Sequence, residues 1–587
     1  MRSTPLALLA LSLAACDGGS GGPDAGHDAG TDAGHDAGTD AGTDAGPDPD
    51  VVVRSCEEVV LPGAASAPPR VEGWPLLFAE PRGEDAVFVA PAVARPTFLY
   101  AGDTIVRVDP RGPSGFEVPG LALDCGPFAH GVASGDPGPR AVTLWTRWSA
   151  PPGAPDRAAL AWVVATDPAF ADEVARGDVE ARAEADFTVH VEAGGLAPGT
   201  TYYYRFTDPS GARSVVGRTR TAPEGRVERL RFALASCSSL FSGYFSAYRR
   251  IAERDDLDLV IHVGDYIYDF VDEDERVRVP ASGEVEDLVD LASHRRRHAE
   301  YLADPDLRLA RQAHPWFLLW DNHDLERGLP AYGGGVQAFR EWTPVRPLAE
   351  GAPPDVLYRA LRYGELVELF AVDMYLFQRR DTLSGSDAPS VLGSAQEAWL
   401  EGELRASAAT WRLLGMQKVF SELGPFSGWV DFGEARSRLI AQLGSVADVV
   451  VLTGDSHFTA FMDVVDEPTR EGARYDPATG AGAVAAELLG PSISRGNFDE
   501  QLGPGNERLL ERTRAGFVRN YPHLVDAELV SHGYGLIDVT PERVVAEVWY
   551  SPILAPADHE TFGGGYAIAR GGRRYERARR ASPTSSP

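Results

Sequence analysis

Four apolar runs in this sequence lead into side chains that bind metal ions. Leu230 to Ala235 is followed by Ser236-Cys237, and Val260 to Val263 by Gly264-Asp265-Tyr266-Ile267-Tyr268. Phe317 to Trp320 runs into Asp321-Asn322-His323-Asp324, and Val449 to Leu452 into Thr453-Gly454-Asp455-Ser456-His457. A buried carboxylate or imidazole is costly unless it is paired or holds a cation. One such segment is an ordinary turn, whereas four at strand ends point to a shared site. Carboxylate and amide oxygens suit hard ions such as calcium, manganese or iron. The Cys237 thiolate and Tyr268 phenolate suit a Lewis-acidic ion that deprotonates them, with Fe(III) the natural candidate. Asp265 is well placed to bridge two ions, a pair of which can polarise a phosphoryl oxygen and generate hydroxide. Asn322 adds an oxygen ligand, and Asp455 and His457 complete the cage. His323 would stabilise charge on the substrate or protonate its leaving group. Other roles stay open: Tyr268 as a packed aromatic, His323 as a turn cap, and Asp321 as either a ligand or a brace for Asn322. His262 reads as core or as support behind the ligands.

The elements that must position these residues form an α/β pattern from Arg229 onward. Strands are expected at Leu230 to Ala235, Leu257 to Val263, Trp316 to Trp320, Val367 to Val372, Trp411 to Gly415 and Val449 to Leu452. Helical stretches fall at Tyr244 to Arg254, 287–313, Gln396 to Ala406 and Glu434 to Leu443. Strands alternating with helices make a layered α/β fold, in which ligands collect beyond the carboxyl ends of the strands. Residues 126–226 hold strand-length runs without a long helix, such as Ala141 to Trp145, Ala159 to Val164 and Tyr202 to Phe206. Such spacing suggests an all-β, immunoglobulin-like sandwich ahead of a catalytic domain at 227–550, with 551–587 as a tail.

The N-terminal end carries targeting information. Arg2, the apolar run Pro5 to Ala15 and Leu13-Ala14-Ala15-Cys16 resemble a bacterial lipoprotein signal, with Cys16 as the lipidated residue after cleavage. Residues 17–50 repeat Asp-Ala-Gly-X from Asp24 to Pro47 and lack large apolar side chains, so they are expected to be a disordered tether. Residues 51–125 read as a small β-rich module without an assigned role. Cys56 and Cys125 flank this module and are candidates for a disulfide outside the cytoplasm. The net charge of −31 over 587 residues argues against a nucleic-acid-binding surface. It leaves open a phosphate substrate, because bound cations reverse the local field. No feature of the sequence sets an oligomeric state.

Taken together, Gly264-Asp265-Tyr266-Ile267-Tyr268, Trp320-Asp321-Asn322-His323-Asp324 and Gly454-Asp455-Ser456-His457 resemble the motifs of the PhoD-like alkaline phosphatases of the metallophosphoesterase superfamily. Phe128 to Pro137, Leu144-Trp145-Thr146-Arg147, Trp342 to Pro347 and Pro491-Ser492-Ile493-Ser494 extend the resemblance across residues 126–550. It implies a two-sheet sandwich flanked by helices and an exported enzyme that hydrolyses phosphate mono- or diesters, small or polymeric. It also implies a binuclear or trinuclear site of Fe(III) and Ca2+, other divalent ions also fitting. Cys237, Asp265 and Tyr268 would lie on the iron side, and Asp265, Asn322 and Asp455 toward calcium. Two departures stand out. The family's Asp-Thr-Arg-X-Tyr-Arg appears as Asp373-Met374-Tyr375-Leu376-Phe377-Gln378 followed by Arg379 and Arg380, and its Trp-Asp-Gly-Tyr as Trp429-Val430-Asp431-Phe432. The family's frequent twin-arginine export signal is not matched. A divergent branch with an altered substrate is expected. The competing expectation is a lipid-anchored binding or surface module on a weakly active phosphatase scaffold.

Overall fold

The computed structural model describes residues 47, 49–54, 58–62, 71, 77, 80–82, 84–90, 93, 96–102, 104–109, 126–151, 153–270, 277–278, 285–325, 332–349, 351–376, 390–426, 428–429 and 432–578. Cys16, Cys56 and Cys125, almost all of the 17–50 repeat, Arg379, Arg380 and Asp431 lie outside these residues. Among the described residues, no helix is long and apolar enough to cross a membrane.

Among the described residues, six short strands precede residue 126: Val51–Arg54 (β1), Glu58–Leu61 (β2), Glu80–Arg82 (β3), Asp85–Val89 (β4), Thr97–Ala101 (β5) and Thr104–Asp109 (β6). They form two three-stranded sheets, ordered β1-β6-β5 and β2-β4-β3.

Seven strands follow: Val132–Gly135 (β7), Ala141–Arg147 (β8), Arg157–Ala165 (β9), Glu173–Arg182 (β10), Thr188–Gly194 (β11), Thr201–Thr207 (β12) and Gly217–Arg220 (β13). Alternation governs them: Tyr202, Tyr204 and Phe206 of β12 point inward while the residues between are half-buried. Strands β9, β10, β12 and β13 form a four-stranded sheet. Leu144, Leu160, Val164, Val191, Tyr204 and Phe206 share a core between this sheet and the β8–β11 pair.

The expectation of a self-contained sandwich needs correction here. Strands β7, β8 and β11 are not a separate layer. They extend the main sheet of the following domain, because β7 pairs in parallel with Pro315–Leu319 (β16) through Ser134 and Gly135. All four residues of β7 are buried, and both its edges are hydrogen-bonded.

Past residue 226 come Leu230–Ala235 (β14), Leu259–Val263 (β15) and β16, every residue of which is buried. Unbroken apolar runs of this kind suit parallel strands covered on both faces. β14 pairs in parallel with β15, and β15 with β16. The second sheet contains Arg359–Tyr363 (β17), Val367–Ala371 (β18), Trp411–Gly415 (β19), Val449–Thr453 (β20), Thr459–Val464 (β21), Ala485–Leu489 (β22) and Leu524–Glu528 (β23). Its order is β17-β18-β19-β20-β22-β21-β23, with β18, β19, β20 and β22 parallel. Gly533–Val539 (β24), Arg543–Tyr550 (β25), Thr561–Ala569 (β26) and Glu576–Arg577 (β27) complete the first sheet, whose order is β11-β8-β7-β16-β15-β14-β24-β25-β26-β27. Residues 551–578 are therefore the edge of the main sheet rather than a tail.

One core joins the two sheets, with Leu234, Ile261, Val263 and Leu536 of the first meeting Leu413, Leu452 and Leu488 of the second. The helices Gly393–Ala406 and Gly433–Gly444 cover the outer face of the second sheet through Leu400, Leu404, Leu439 and Ile440. The stretch expected as one helix over 287–313 is two, Leu291–Tyr301 and Pro305–Ala313. Asp304 separates them. Its carboxylate accepts from the amides of Asp306 and Leu307, and Pro305 pre-sets the first turn.

Candidate metal centre

Parallel pairing decides where the polar residues meet. Ala235 faces His262 and Val263 faces Leu319 across the ladder. Strands β14, β15 and β16 thus end on one side, and Cys237, Asp265 and Asp321 follow their ends. The second sheet brings Asp455 and His457 to the same side after β20. The sheets approach so closely there that a methyl group at Gly454 would stand 2.7 Å from Ser236 Cβ.

The backbone is held in an unusual form at this edge. Of ten non-glycine residues with positive φ among the described residues, four are Cys237 at 57°, Asp265 at 55°, Asp455 at 72° and His457 at 68°. Such conformations cost roughly 1–3 kcal/mol each and persist only where the surroundings enforce them. The enforcing bonds are visible: the Cys237 amide donates to the Gly264 carbonyl at 3.2 Å and the Ser238 amide to that of Asp265 at 2.9 Å. The Ile493 amide donates to the Ser236 carbonyl at 2.9 Å.

Two ligand groups result. One atom each from Cys237, Asp265 and His457 lie within 4.8 Å of one another, as do one oxygen each from Asp265, Asp321 and Asp455. Asp265 belongs to both. The Tyr268 hydroxyl donates to Asp265 Oδ2 at 3.2 Å and stands 3.3 Å from His457 Nε2. The Cys237 thiol reaches Asp265 Oδ2 at 3.8 Å. With His457 Nδ1 donating to the Gly496 carbonyl at 2.9 Å, Nε2 turns its lone pair toward the cluster, an arrangement typical of a ligating imidazole.

Electrostatics show which charge the cluster suits. Burial, then the Asp265 carboxylate, pushes the Cys237 thiol and the Tyr268 phenol well above their ordinary ranges. Burial also raises Asp265, and it raises Asp321 strongly, with neighbouring carboxylates adding to it in both. Burial holds His457 well below its usual value, with Arg495 next in effect, and keeps the ring neutral. Asp321 Oδ1 is buried with no hydrogen-bond partner among the described residues. Acids forced together in this way, with an orphan oxygen, fit a bound cation, which lowers the acids again and, like burial, favours the neutral His457 ring.

His323 sits beside the cluster. Its ring stacks on Tyr268 with centroids 4.2 Å apart, and Nδ1 lies 2.5 Å from Asp269 Oδ1. Its amide donates to Asp265 Oδ1 at 3.3 Å. Asn322 precedes it in the same turn, 9% exposed. His262 is not drawn into the cluster. It lies 3.2 Å from Ser238 Oγ, against Trp316 and Tyr266, and burial lowers it to about 3.

Three residues of the site escape a reading of motifs, and a fourth, Asp324, closes a motif without being singled out by it. Asp269 orients His323. Asp324 joins two turns by accepting from the amides of Asp321 and Ile267 at 2.9 and 3.0 Å. The Arg495 guanidinium lies 5.4 Å from the centre of the Tyr268 ring. Lys418 Nζ lies 3.3 Å from Asp455 Oδ1. The signals available were adjacency for Asp269 and Asp324, and rarity for Lys418, the one lysine in the chain.

Comparison with known proteins places the chain in a family. Residues 121–223 match the family described as PhoD-like phosphatase, N-terminal domain, and residues 232–327 and 331–548 match the PhoD-like phosphatase family. Alkaline phosphatase D of Bacillus subtilis (strain 168) is 33% identical over 480 residues, covering 73% of this chain and 78% of that protein. The solved structure of PhoD is 28% identical, with a TM-score of 0.67 over 80% of this chain and 95% of that one.

Proposed function

This chain belongs to the PhoD-like phosphatase family, and from that premise we propose that it hydrolyses phosphate esters at metal ions held by Cys237, Asp265, Tyr268, Asn322, Asp455 and His457, with Asp321 beside them. The observation that carries this reading is Asp265, one carboxylate shared by two ligand groups. The ions, when bound, supply the field that draws in a phosphoryl oxygen and makes water a nucleophile near neutral pH. The protein's own part is positioning and proton transfer. Asp269 fixes the His323 ring at Nδ1, which leaves Nε2 to protonate the leaving oxygen as the P–O bond breaks. Stacking on Tyr268 keeps that ring in one plane.

The thiol and phenol suit ferric iron, and the all-carboxylate group suits calcium or another hard divalent ion. The substrate is a phosphate mono- or diester, small or polymeric. Export and lipid attachment at Cys16 would hold the enzyme at the cell envelope, supported by the sequence Leu13-Ala14-Ala15-Cys16.

The test is hydrolysis of p-nitrophenyl phosphate and bis-p-nitrophenyl phosphate by the purified chain and by Asp265→Ala. Loss of both activities in the variant is expected. Rates like those of the unaltered chain would remove Asp265 from the mechanism.

A further inference from the structure

The geometry points to Lys418 as a resident cation of the site, whose ammonium competes with a divalent ion for Asp455 and weakens metal uptake on the Asp321–Asp455 side. This inference rests on the metal-dependent reading above and refines it. The chain has 55 lysines and arginines together, and Lys418 is the one lysine among them. That residue stands 3.3 Å from a carboxylate of the candidate cage, its side chain 13% exposed. Its field also reaches Asp265 and Asp321.

The position is built rather than incidental. Gln417, immediately before it, is held by three connections: its side-chain amide donates to the Trp320 carbonyl at 2.8 Å, its side-chain oxygen accepts from the Met374 amide at 3.1 Å, and its carbonyl accepts from the Gly454 amide at 2.9 Å. Those contacts tie the end of β19 to the turns after β16, β18 and β20, so the Lys418 backbone has little freedom relative to Asp455. On the other side, Gly428 packs over the lysine stem. A methyl group there would stand 2.3 Å from Lys418 Cβ, so only glycine admits this approach.

Lysine suits the role better than arginine. A compact point charge on a flexible stem can withdraw when a metal arrives, whereas a planar guanidinium would lock onto the carboxylate in a fork. An ammonium and a divalent ion a few ångströms apart repel, so occupancy by one disfavours the other.

The experiment is calorimetric titration of calcium chloride into the purified, chelator-treated full-length chain, without substrate, for the unaltered protein, Lys418→Gln and Lys418→Arg. Circular dichroism confirms that each is folded. Calcium is expected to bind Lys418→Gln at least ten-fold more tightly than the unaltered chain, while Lys418→Arg binds no more tightly than the unaltered chain. Unchanged or weaker binding by Lys418→Gln overturns the proposal, as does absence of calcium uptake by all three. Turnover of p-nitrophenyl phosphate by the unaltered chain is measured separately. Its absence would count against the phosphoesterase reading, which the calcium titration does not test.

Discussion

Tyr268 and His323 stack with their ring centroids 4.2 Å apart and their planes 27° from parallel. One belongs to the candidate ligand set and the other to the proton-transfer machinery, so this contact couples the cation cluster to the group proposed to serve the leaving oxygen. The Asp269 carboxylate, 2.5 Å from the far side of the imidazole, fixes the ring from behind.

Replacing His323 by Asn is expected to lower kcat by about 10²–10⁴-fold, the usual contribution of a general acid. The loss should be larger for phenyl phosphate than for p-nitrophenyl phosphate, whose leaving group needs little protonation. Asp269→Asn should give a smaller loss with the same substrate ordering. Equal losses on the two esters would assign His323 to charge stabilisation rather than proton transfer.

The phenol of Tyr268 predicts a colour. Burial holds this hydroxyl protonated when no cation is present. Ferric iron would deprotonate it and give a visible charge-transfer band. Purified protein is therefore expected to be coloured, and Tyr268→Phe to be colourless or strongly blue-shifted at the same iron content. Colourless protein without iron by elemental analysis would argue against the thiol-phenol pair as an iron site.

Acid should destabilise the fold through its buried histidines. Burial lowers His262 and His314 to about 3 and His190 and His523 to about 4, against an ordinary value of 6.5. Below pH 6.5 the unfolded chain takes up these protons and the folded chain does not, so stability falls as pH falls. Each group contributes about 1.4 kcal/mol per pH unit in that window. Asp373 and Asp463, raised by burial to about 6, oppose this in part, because their stabilising effect grows as pH falls from 6 toward 3.8. Thermal unfolding midpoints at pH 7, 6 and 5 should decline, and His262→Asn should flatten the slope. A midpoint that rises on acidification would reverse the balance argued here.

The strand ends were legible in the sequence because the strands are continuous apolar runs and each stops at a polar residue with metal-binding chemistry. Parallel pairing aligns Cys237, Asp265 and Asp321 in one sheet, as a run of Val, Ile and Leu announces, and packing of the second sheet adds Asp455 and His457. The sharing of one sheet between the first and second domains was not legible. β7 is only Val-Ala-Ser-Gly, and its pairing with Pro315 and Trp316 spans some 180 positions that no local pattern records. Strand β26 hid for a similar reason, since its first half is exposed and glycine-rich. Asp269 lies at the head of an acidic run reaching Glu275, where one functional carboxylate looks like the rest.

Asp321→Asn should separate stability from function. Asp321 is a buried carboxylate with an unpartnered oxygen, pushed well above the ordinary range by burial and by Asp265 and Asp455. In metal-free protein this charge is a liability, and removing it relieves repulsion among three carboxylates. In metal-loaded protein the same charge helps to hold the ion. The variant is expected to unfold at a higher temperature than the unaltered chain in the presence of a chelator, by an amount corresponding to about 1–3 kcal/mol. With metals restored the order should reverse, and phosphatase turnover should fall at least ten-fold. Calorimetry with and without chelator reads both halves. Destabilisation of the variant in both conditions would mean that Asp321 braces the turn through Asn322 rather than serving a cation.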